Sequence, residues 1–425
     1  MQTIGGLILI GGFVLLVLLR IPIMFSIGVS TLATILFLHI PIEMMASQII
    51  KGLNSFSLMA IPFFILSGEI MGAGGISDRL VKLAKACIGH IRGGLAHVNV
   101  LASMFFGGIS GSPVADVSSI GAILIPMMEK DGYDTDFATG VTMASSIEGL
   151  LIPPSHNMII YAMAAGTVSI ADLFLAGIVP GIIVGCIMIV YCYIVSVKRN
   201  YPKGGKFSLK ILWVAFKESI LGMMTIVIIL LGVLTGVFTA TEAAAIAVVW
   251  SMLVTFLVYK EIPFKEMWNI LGRTMRTLGT IMGIIGISAS FGWVLAYLKI
   301  PNAIVIGLTS MVSNRIILIL IINLILLGLG MIMDMSSIIL IATPILLPIV
   351  TTLGIDPVQF GVLIMLNLGI GLITPPVGAV LFVCSGITKL SIERLTKAMI
   401  PFYVVLIFSL MLITFVPQIS LCLIN

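Results

Sequence analysis

Fourteen apolar runs fill this chain, at residues 4–19, 22–39, 57–73, 93–110, 113–129, 136–166, 173–197, 219–238, 241–259, 279–298, 314–329, 335–350, 357–388 and 398–420. A helix needs about 20 apolar residues to cross a bilayer, so the pattern predicts a chain that enters the membrane many times. Charge agrees with this: only 9% of the 425 residues are charged, against roughly 25% in soluble globular chains. Soluble-enzyme and nucleic-acid-binding readings are thereby excluded, and the net charge of +5 is scattered over loops. Ten-residue segments of alternating polarity do not occur, which disfavours a membrane β-barrel. An all-α integral membrane protein is expected.

Some runs do not behave as simple spans. The pairs 93–110/113–129 and 314–329/335–350 leave only a few residues between their arms, so each reads as a re-entrant helical hairpin. The runs 136–166 and 357–388 are too long for one helix, and Pro153-Pro154 and Pro375-Pro376 interrupt them. Each reads as a broken span. The opening "MQTIGGLILIGGFVLLVLLR" has no basic residue before Arg20 and no small-residue cleavage site, so it reads as a retained helix and not a secretory signal. Cys87, Cys186, Cys192, Cys384 and Cys422 have no metal or redox spacing.

Basic residues set the orientation. The densest cluster, "VKRNYPKGGKFSLKILWVAFK" at 197–217, has six Lys/Arg and no acid. With it in the cytoplasm, Arg20, Arg79, Lys82, Lys85, Arg92, Lys130, Lys260, Lys265, Arg273, Arg276, Lys389, Arg394 and Lys397 all fall inside. Lys51, Lys299 and Arg315 fall outside, and both termini are expected outside. The stretch 71–93 reads as an interfacial helix at the cytoplasmic surface linking a fixed part to a moving one; membrane lipid is a candidate partner there with no residue pattern of its own to support it.

The chain then divides into two halves with one order of elements: residues 1–198, a basic cytoplasmic linker 199–218, and residues 219–425. Each half has two spans, an amphipathic stretch (40–56 or 261–277), a further span, a hairpin (93–129 or 314–350), a broken helix (136–166 or 357–388) and a last span. The halves run in opposite directions, an inverted-topology repeat of the kind secondary transporters use. Motifs repeat with it. "DVSSI" at 116–120 matches "DMSSI" at 334–338, and "EGLLIPPS" at 148–155 matches "IGLITPPV" at 370–377.

Irregular backbone at membrane depth is tolerated only where it lines a cavity or is buried in protein. A hairpin tip beside a broken helix brings main-chain carbonyls together, a donor set suited to a hard monovalent cation. Half-helix N-termini offer N–H groups to an anion. One candidate sodium site is therefore Ser110 with Gly149, Ile152 and Pro154. Its symmetry mate is Gly330 and Met333 with Gly371, Thr374 and Pro376. Ser110, Ser112, Ser155, Asp116 and Asp334 are candidate substrate-binding residues. The plainer readings coexist with these: Ser112-Pro113 is a standard helix start, and Asp116 and Asp334 suit the first turn of a hairpin arm. Glu148 and His156 read as helix-to-helix hydrogen-bonding groups or as proton-linked ones. Glu69 and Glu242, near span ends, read as structural partners or as groups exposed at the interface. "GIIVG" at 181–185 and "GTIMG" at 279–283 fit close helix contact.

"FFGGISGSPVADVSSIGAILIPMM", "EGLLIPPSHNMIIYA", "GMIMDMSSIILIATPILLPI" and "GIGLITPPVGAVLFV" resemble, over essentially the whole chain, the large membrane subunit of the tripartite ATP-independent periplasmic (TRAP) transporters. The resemblance implies a sodium-driven importer of an organic acid in the bacterial inner membrane, working by an elevator motion. It implies two partners, a small membrane subunit and a soluble periplasmic substrate-binding protein, with Na+ as coupling ion and no organic cofactor. It also implies that Asp334 faces the substrate or stabilises its cavity. "GISGSPVADVSSIG" is closest to the sialic-acid type, with four-carbon dicarboxylates the alternative. A stand-alone sodium/dicarboxylate carrier fits the same hairpin plan, and a non-transporting scaffold subunit is the third reading. No GxxxxGK[ST] loop is present, so ATP drive is not expected. An enzyme is not expected either.

Overall fold

The computed structural model describes residues 2–19, 21–300 and 314–424. Arg20 and most of the 299–315 segment expected outside lie beyond the described residues. The described chain is helical throughout, apart from one isolated bridge between Arg92 and Lys203. Among the described residues, six helices are long and apolar enough to cross a membrane: Ile170–Lys198, Leu209–Leu234, Ala240–Tyr259, Phe264–Tyr297, Met335–Thr352 and Ile392–Phe415.

Helix starts follow local chemistry. Thr239 begins its helix with a reciprocal capping box: its hydroxyl accepts from the Glu242 amide, and the Glu242 carboxylate accepts from the Thr239 amide at 2.8 Å. Two end donors are satisfied at once. Glu242 is thus a structural partner, and so is Glu69, which pairs with Arg273 at 3.0 Å. Asp356 accepts from the Val358 amide at 2.7 Å, with Pro357 supplying the first helical residue.

The amphipathic stretches differ between the halves. Ile42–Leu53 is a separate helix, ended at Asn54, before the span Ala60–Ala73. The corresponding stretch 261–277 and the span 279–298 were expected to be separate too. Instead one helix, Phe264–Tyr297, runs through both. No proline interrupts 264–297, and a glycine such as Gly272 or Gly279 costs a helix only about 1 kcal/mol relative to Ala. Beyond Ala73 the chain bends by 72° into Ile76–Ile88, turning at Gly75, whose φ of +69° suits glycine. The basic linker is also shorter than the expected 199–218. Helix Leu209–Leu234 begins directly after Ser208, which is extended, so residues 209–218 are helical and continuous with the following span.

Charge sorts to one end of the molecule. The six ion pairs among the described residues join Arg79 to Glu261, Lys82 to Glu218, Arg199 to Asp134, Arg273 to Glu69 and Glu266, and Arg394 to Asp136. Those residues lie in or beside segments whose basic residues predict one side. Contacts of the other side also gather: Thr241 donates to the Phe56 carbonyl, Tyr161 to that of Pro357, and Arg315 to that of Gly354. Between the two ends sits the core. Helix Pro357–Leu372 is buried residue by residue from Gln359 onward, as expected for a helix apolar on every face.

Candidate functional site: two hairpin tips on two broken helices

Hairpin one has arms Gly94–Ser110 and 113–130, the second arm passing through a π-helical turn at Val117–Gly121. Gly111 turns the chain at φ +59°, and Ser112 caps the second arm by accepting from the Ala115 amide at 3.4 Å. Hairpin two has arms Arg315–Gly330 and Met335–Thr352. There Asp334 is the cap, one carboxylate oxygen accepting from the Ser336 and Ser337 amides at 3.0 and 3.4 Å. The capping readings of Ser112 and Asp334 are thus the structural ones, and they leave room for a second role.

Each tip lies on its own broken helix. The first breaks between Leu151 and His156, the second between Leu372 and Ala379. A glycine pair makes each contact possible. A Cβ on Gly149 would lie 2.6 Å from the Gly107 Cα, and one on Gly371 would lie 2.6 Å from the Gly330 Cα. Only bare backbone fits there. Beyond the glycines, Gly111 rests against Ser155 and the Pro154 carbonyl, while the Val377 amide donates to the Met331 carbonyl at 3.1 Å.

Each group of expected ligands is drawn from one tip and one break, joined by the glycine contact. In the first, Ser110 ends the hairpin arm, Gly149 sits under it, and Ile152 and Pro154 form the break. In the second, Gly330 of the tip lies against Gly371, Met333 follows in the same tip, and Thr374 and Pro376 belong to the break, which meets the tip through the Val377 amide on the Met331 carbonyl. The carbonyls of Ile152, Pro153, Pro154, Thr374, Pro375 and Pro376 accept no hydrogen bond among the described residues. The Ile373 carbonyl is engaged by the Tyr403 hydroxyl at 2.7 Å. Thr374 donates its hydroxyl to the Ile370 carbonyl at 2.6 Å, which leaves its lone pairs free to accept.

The substrate candidates separate. Asp334 is exposed, whereas Asp116 is 1% exposed. Ser155 is fully buried, and its hydroxyl makes no hydrogen bond. Both carboxylate oxygens of Asp116 and of Glu148 also lack partners among the described residues. The helix-to-helix hydrogen bond expected of Glu148 is therefore not formed: its side chain sits against Gly185, which has no side chain to donate.

Several linking residues lay outside the sequence argument. Asn99 donates to Thr142 at 2.6 Å, tying hairpin one to the first broken helix, and Asn367 donates to the Asn323 side chain at 2.9 Å, tying hairpin two to the second. Ser336 donates to Asn157 at 3.3 Å, joining hairpin two to the far arm of the first broken helix. An asparagine inside an unbroken apolar run, as in "LIINLIL" and "IMLNLGI", was the available signal. Such groups are costly in hydrocarbon unless paired. Of the small-residue motifs, "GIIVG" makes close contacts, Gly181 on Ile152 and Gly185 on Met104. In "GTIMG" only Gly283 does so, on Met24.

Residues 10–419 match the family model described as "Tripartite ATP-independent periplasmic transporter, DctM component". The chain belongs to that family. Among its relatives, the C4-dicarboxylate TRAP transporter large permease protein DctM of Rhodobacter capsulatus is 36% identical, covering 99% of both chains. The sialic acid TRAP transporter large permease protein SiaM of Vibrio cholerae is also 36% identical, over 97% of this chain and 96% of its own. Among solved structures, Neisseria gonorrhoeae MtrF superposes with a TM-score of 0.63 at 14% identity, covering 87% of this chain and 83% of that one. That likeness shows the fold. As a TRAP large permease, the chain is a multi-pass membrane transport protein and not an enzyme.

Proposed function

We propose that this TRAP permease imports an organic acid coupled to Na+, through an elevator motion, and that it receives the acid from a soluble binding protein. The observation that carries the reading is the pair of backbone-lined breaks, each seated under a hairpin tip by a glycine pair and each presenting unpaired carbonyls. A hard monovalent cation sheds its water only for an equivalent shell of oxygens. Two such shells flanking Ser155 and Asp334 would place bound cations beside an anionic substrate. The elevator reading is supported by the packing. Both hairpins and both broken helices interlock through Asn99, Asn367 and Ser336, while helices Leu209–Leu234, Ala240–Tyr259 and Phe264–Tyr297 pack with the early helices as a frame.

The relatives carry names for dicarboxylate and for sialic acid at the same 36% identity, so the proposal is made for carboxylates as a class, with sialic acid the first substrate to try. Placing the charged end in the cytoplasm puts both termini outside and the protein in a bacterial inner membrane. The loops assigned outside are short, and an independent capture domain needs at least about 40 residues. Capture would then fall to a soluble partner, with the small membrane subunit extending the frame. The test reconstitutes the two membrane chains in liposomes with an inward Na+ gradient. Little uptake is expected from free substrate, and strong uptake once the cognate binding protein is added outside. Full sodium-dependent uptake of free substrate would establish the stand-alone carrier instead.

A further inference from the structure

At the charged end of the molecule, a groove of about 580 Å3 opens between helix Ile76–Ile88, the base of hairpin one and the start of helix Leu209–Leu234. Five lysines line it: Lys82, Lys85, Lys203, Lys206 and Lys210. Only two carboxylates do, Asp131 and Glu218, and Glu218 is already paired with Lys82 at 3.8 Å. The other four lysines make no ion pair among the described residues. A net positive groove in a protein is an electrostatic trap for anions.

The rest of the lining is apolar. Phe207, Ile211 and Val214 form one wall and are themselves exposed, and Leu209 and Trp213 stand exposed beside them. Ile211 and Val214 lie in the first turns of a helix long and apolar enough to cross a membrane, a position that suits the region where headgroup meets acyl chain. A free inorganic anion would neutralise the lysines and leave the flank bare. A molecule with a phosphate at one end and a hydrocarbon at the other covers both.

The groove is also structurally held. The Gly93 amide donates to the Pro202 carbonyl at 3.0 Å, Arg92 pairs with Lys203 as a β-bridge, and His90 meets Phe207 edge-on at 5.3 Å. The linker is thus fastened to the base of hairpin one on one side and continues into a frame helix on the other. Whatever fills the groove touches both.

We propose that this groove binds the headgroup phosphate of an anionic phospholipid, with the acyl chains along Ile211 and Val214. The binding rests on the lysine cluster and the apolar flank, and is independent of substrate and of sodium. The bound lipid bridges hairpin one to the frame.

The experiment measures retention of phosphatidylglycerol by the purified full chain, by native mass spectrometry and by titration with a fluorescent analogue. Each lysine near a membrane surface contributes enough that losing three weakens binding by roughly 100-fold. The variant Lys203→Gln/Lys206→Gln/Lys210→Gln should therefore lose phosphatidylglycerol by about that factor at an unchanged melting temperature. Ile211→Gln/Val214→Gln, which keeps every lysine, should weaken it as well. Phosphatidylcholine should bind much more weakly, and millimolar inorganic phosphate should not displace the lipid. Equal phosphatidylglycerol binding by wild type and both variants overturns the proposal. So does displacement by inorganic phosphate with the Ile211/Val214 variant unaffected, which would make the groove a simple anion site.

Discussion

Gly371 and Gly330 bring two main chains into contact with no side chain between them, and that is where a single methyl group should matter most. The atoms a new Cβ would meet are backbone, at 2.5 and 2.6 Å, so no rotamer change can relieve the clash. Overpacking of this kind costs about 1–3 kcal/mol. Gly371→Ala should therefore raise the sodium concentration for half-maximal uptake by roughly tenfold or abolish uptake. Gly328→Ala, whose Cβ would meet nothing within 4 Å, should behave as wild type; equal curves for the two variants would remove the tip contact from the sodium site. Ser110→Ala and Thr374→Ala each remove at most one oxygen and leave the carbonyls, so each should weaken sodium activation without ending transport. Wild-type curves for both would leave the paired-site idea unsupported. Asp334 is exposed and Asp116 is buried. Asn keeps the ability to cap a helix, so Asp334→Asn should retain the fold while lowering uptake more than Asp116→Asn does. The reverse order of uptake would assign the substrate contact to Asp116.

Elements are held together at the charged end by a small cluster that responds to acid. The Tyr201 hydroxyl, donating at 2.7 Å, and then Arg199 hold the Asp134 carboxyl below its usual 3.8. The sign follows from linkage. A carboxylate with a lower pKa folded than unfolded stabilises the fold at pH above about 3.8, and the contribution is lost as pH falls through the folded value. Tyr201 is buried, but Asp134 and Arg199 are substantially exposed, so the effect is small. The melting temperature of Asp134→Asn should sit slightly below wild type from pH 7 to pH 5 and converge with it once the pH falls well below 3.8. A gap that does not shrink as the pH falls below 3.8 would mean that Asp134 contributes through packing and not through its charge. The same cluster fastens the linker near the base of hairpin one, beside the lysine groove.

At the scale of the whole molecule, the proposed import moves charge. If more than one Na+ accompanies each monovalent acid, every net charge gains about 2.3 kcal/mol per 100 mV. Uptake into liposomes should rise as valinomycin sets the interior more negative at a fixed sodium gradient. A flat response would indicate electroneutral exchange. The frame and the interlocked hairpins are the two bodies such a motion requires, and a disulfide or crosslinker bridging them should stop uptake while leaving sodium-dependent stabilisation intact.

Much of this was already legible in the sequence. Apolar runs near the spanning length, split by Pro-Pro pairs and by short polar tips, leave the backbone few alternatives in a bilayer, because every amide and carbonyl must find a partner inside the protein. Repeated motifs such as "DVSSI" and "DMSSI" are the sequence's argument for related halves, and its basic segments the argument for orientation. The tertiary structure decided what local sequence does not encode. Whether 261–298 makes two helices or one depends on packing, since glycines weaken a helix without ending it. The partners of Asn99, Asn367 and Ser336 lie 43, 44 and 179 residues away, and no local pattern names them. The glycine pairs at the tips, the unpaired Glu148 and the lysine groove have the same origin. Each is a juxtaposition of segments distant in the chain, fixed by how the hairpins close on the broken helices.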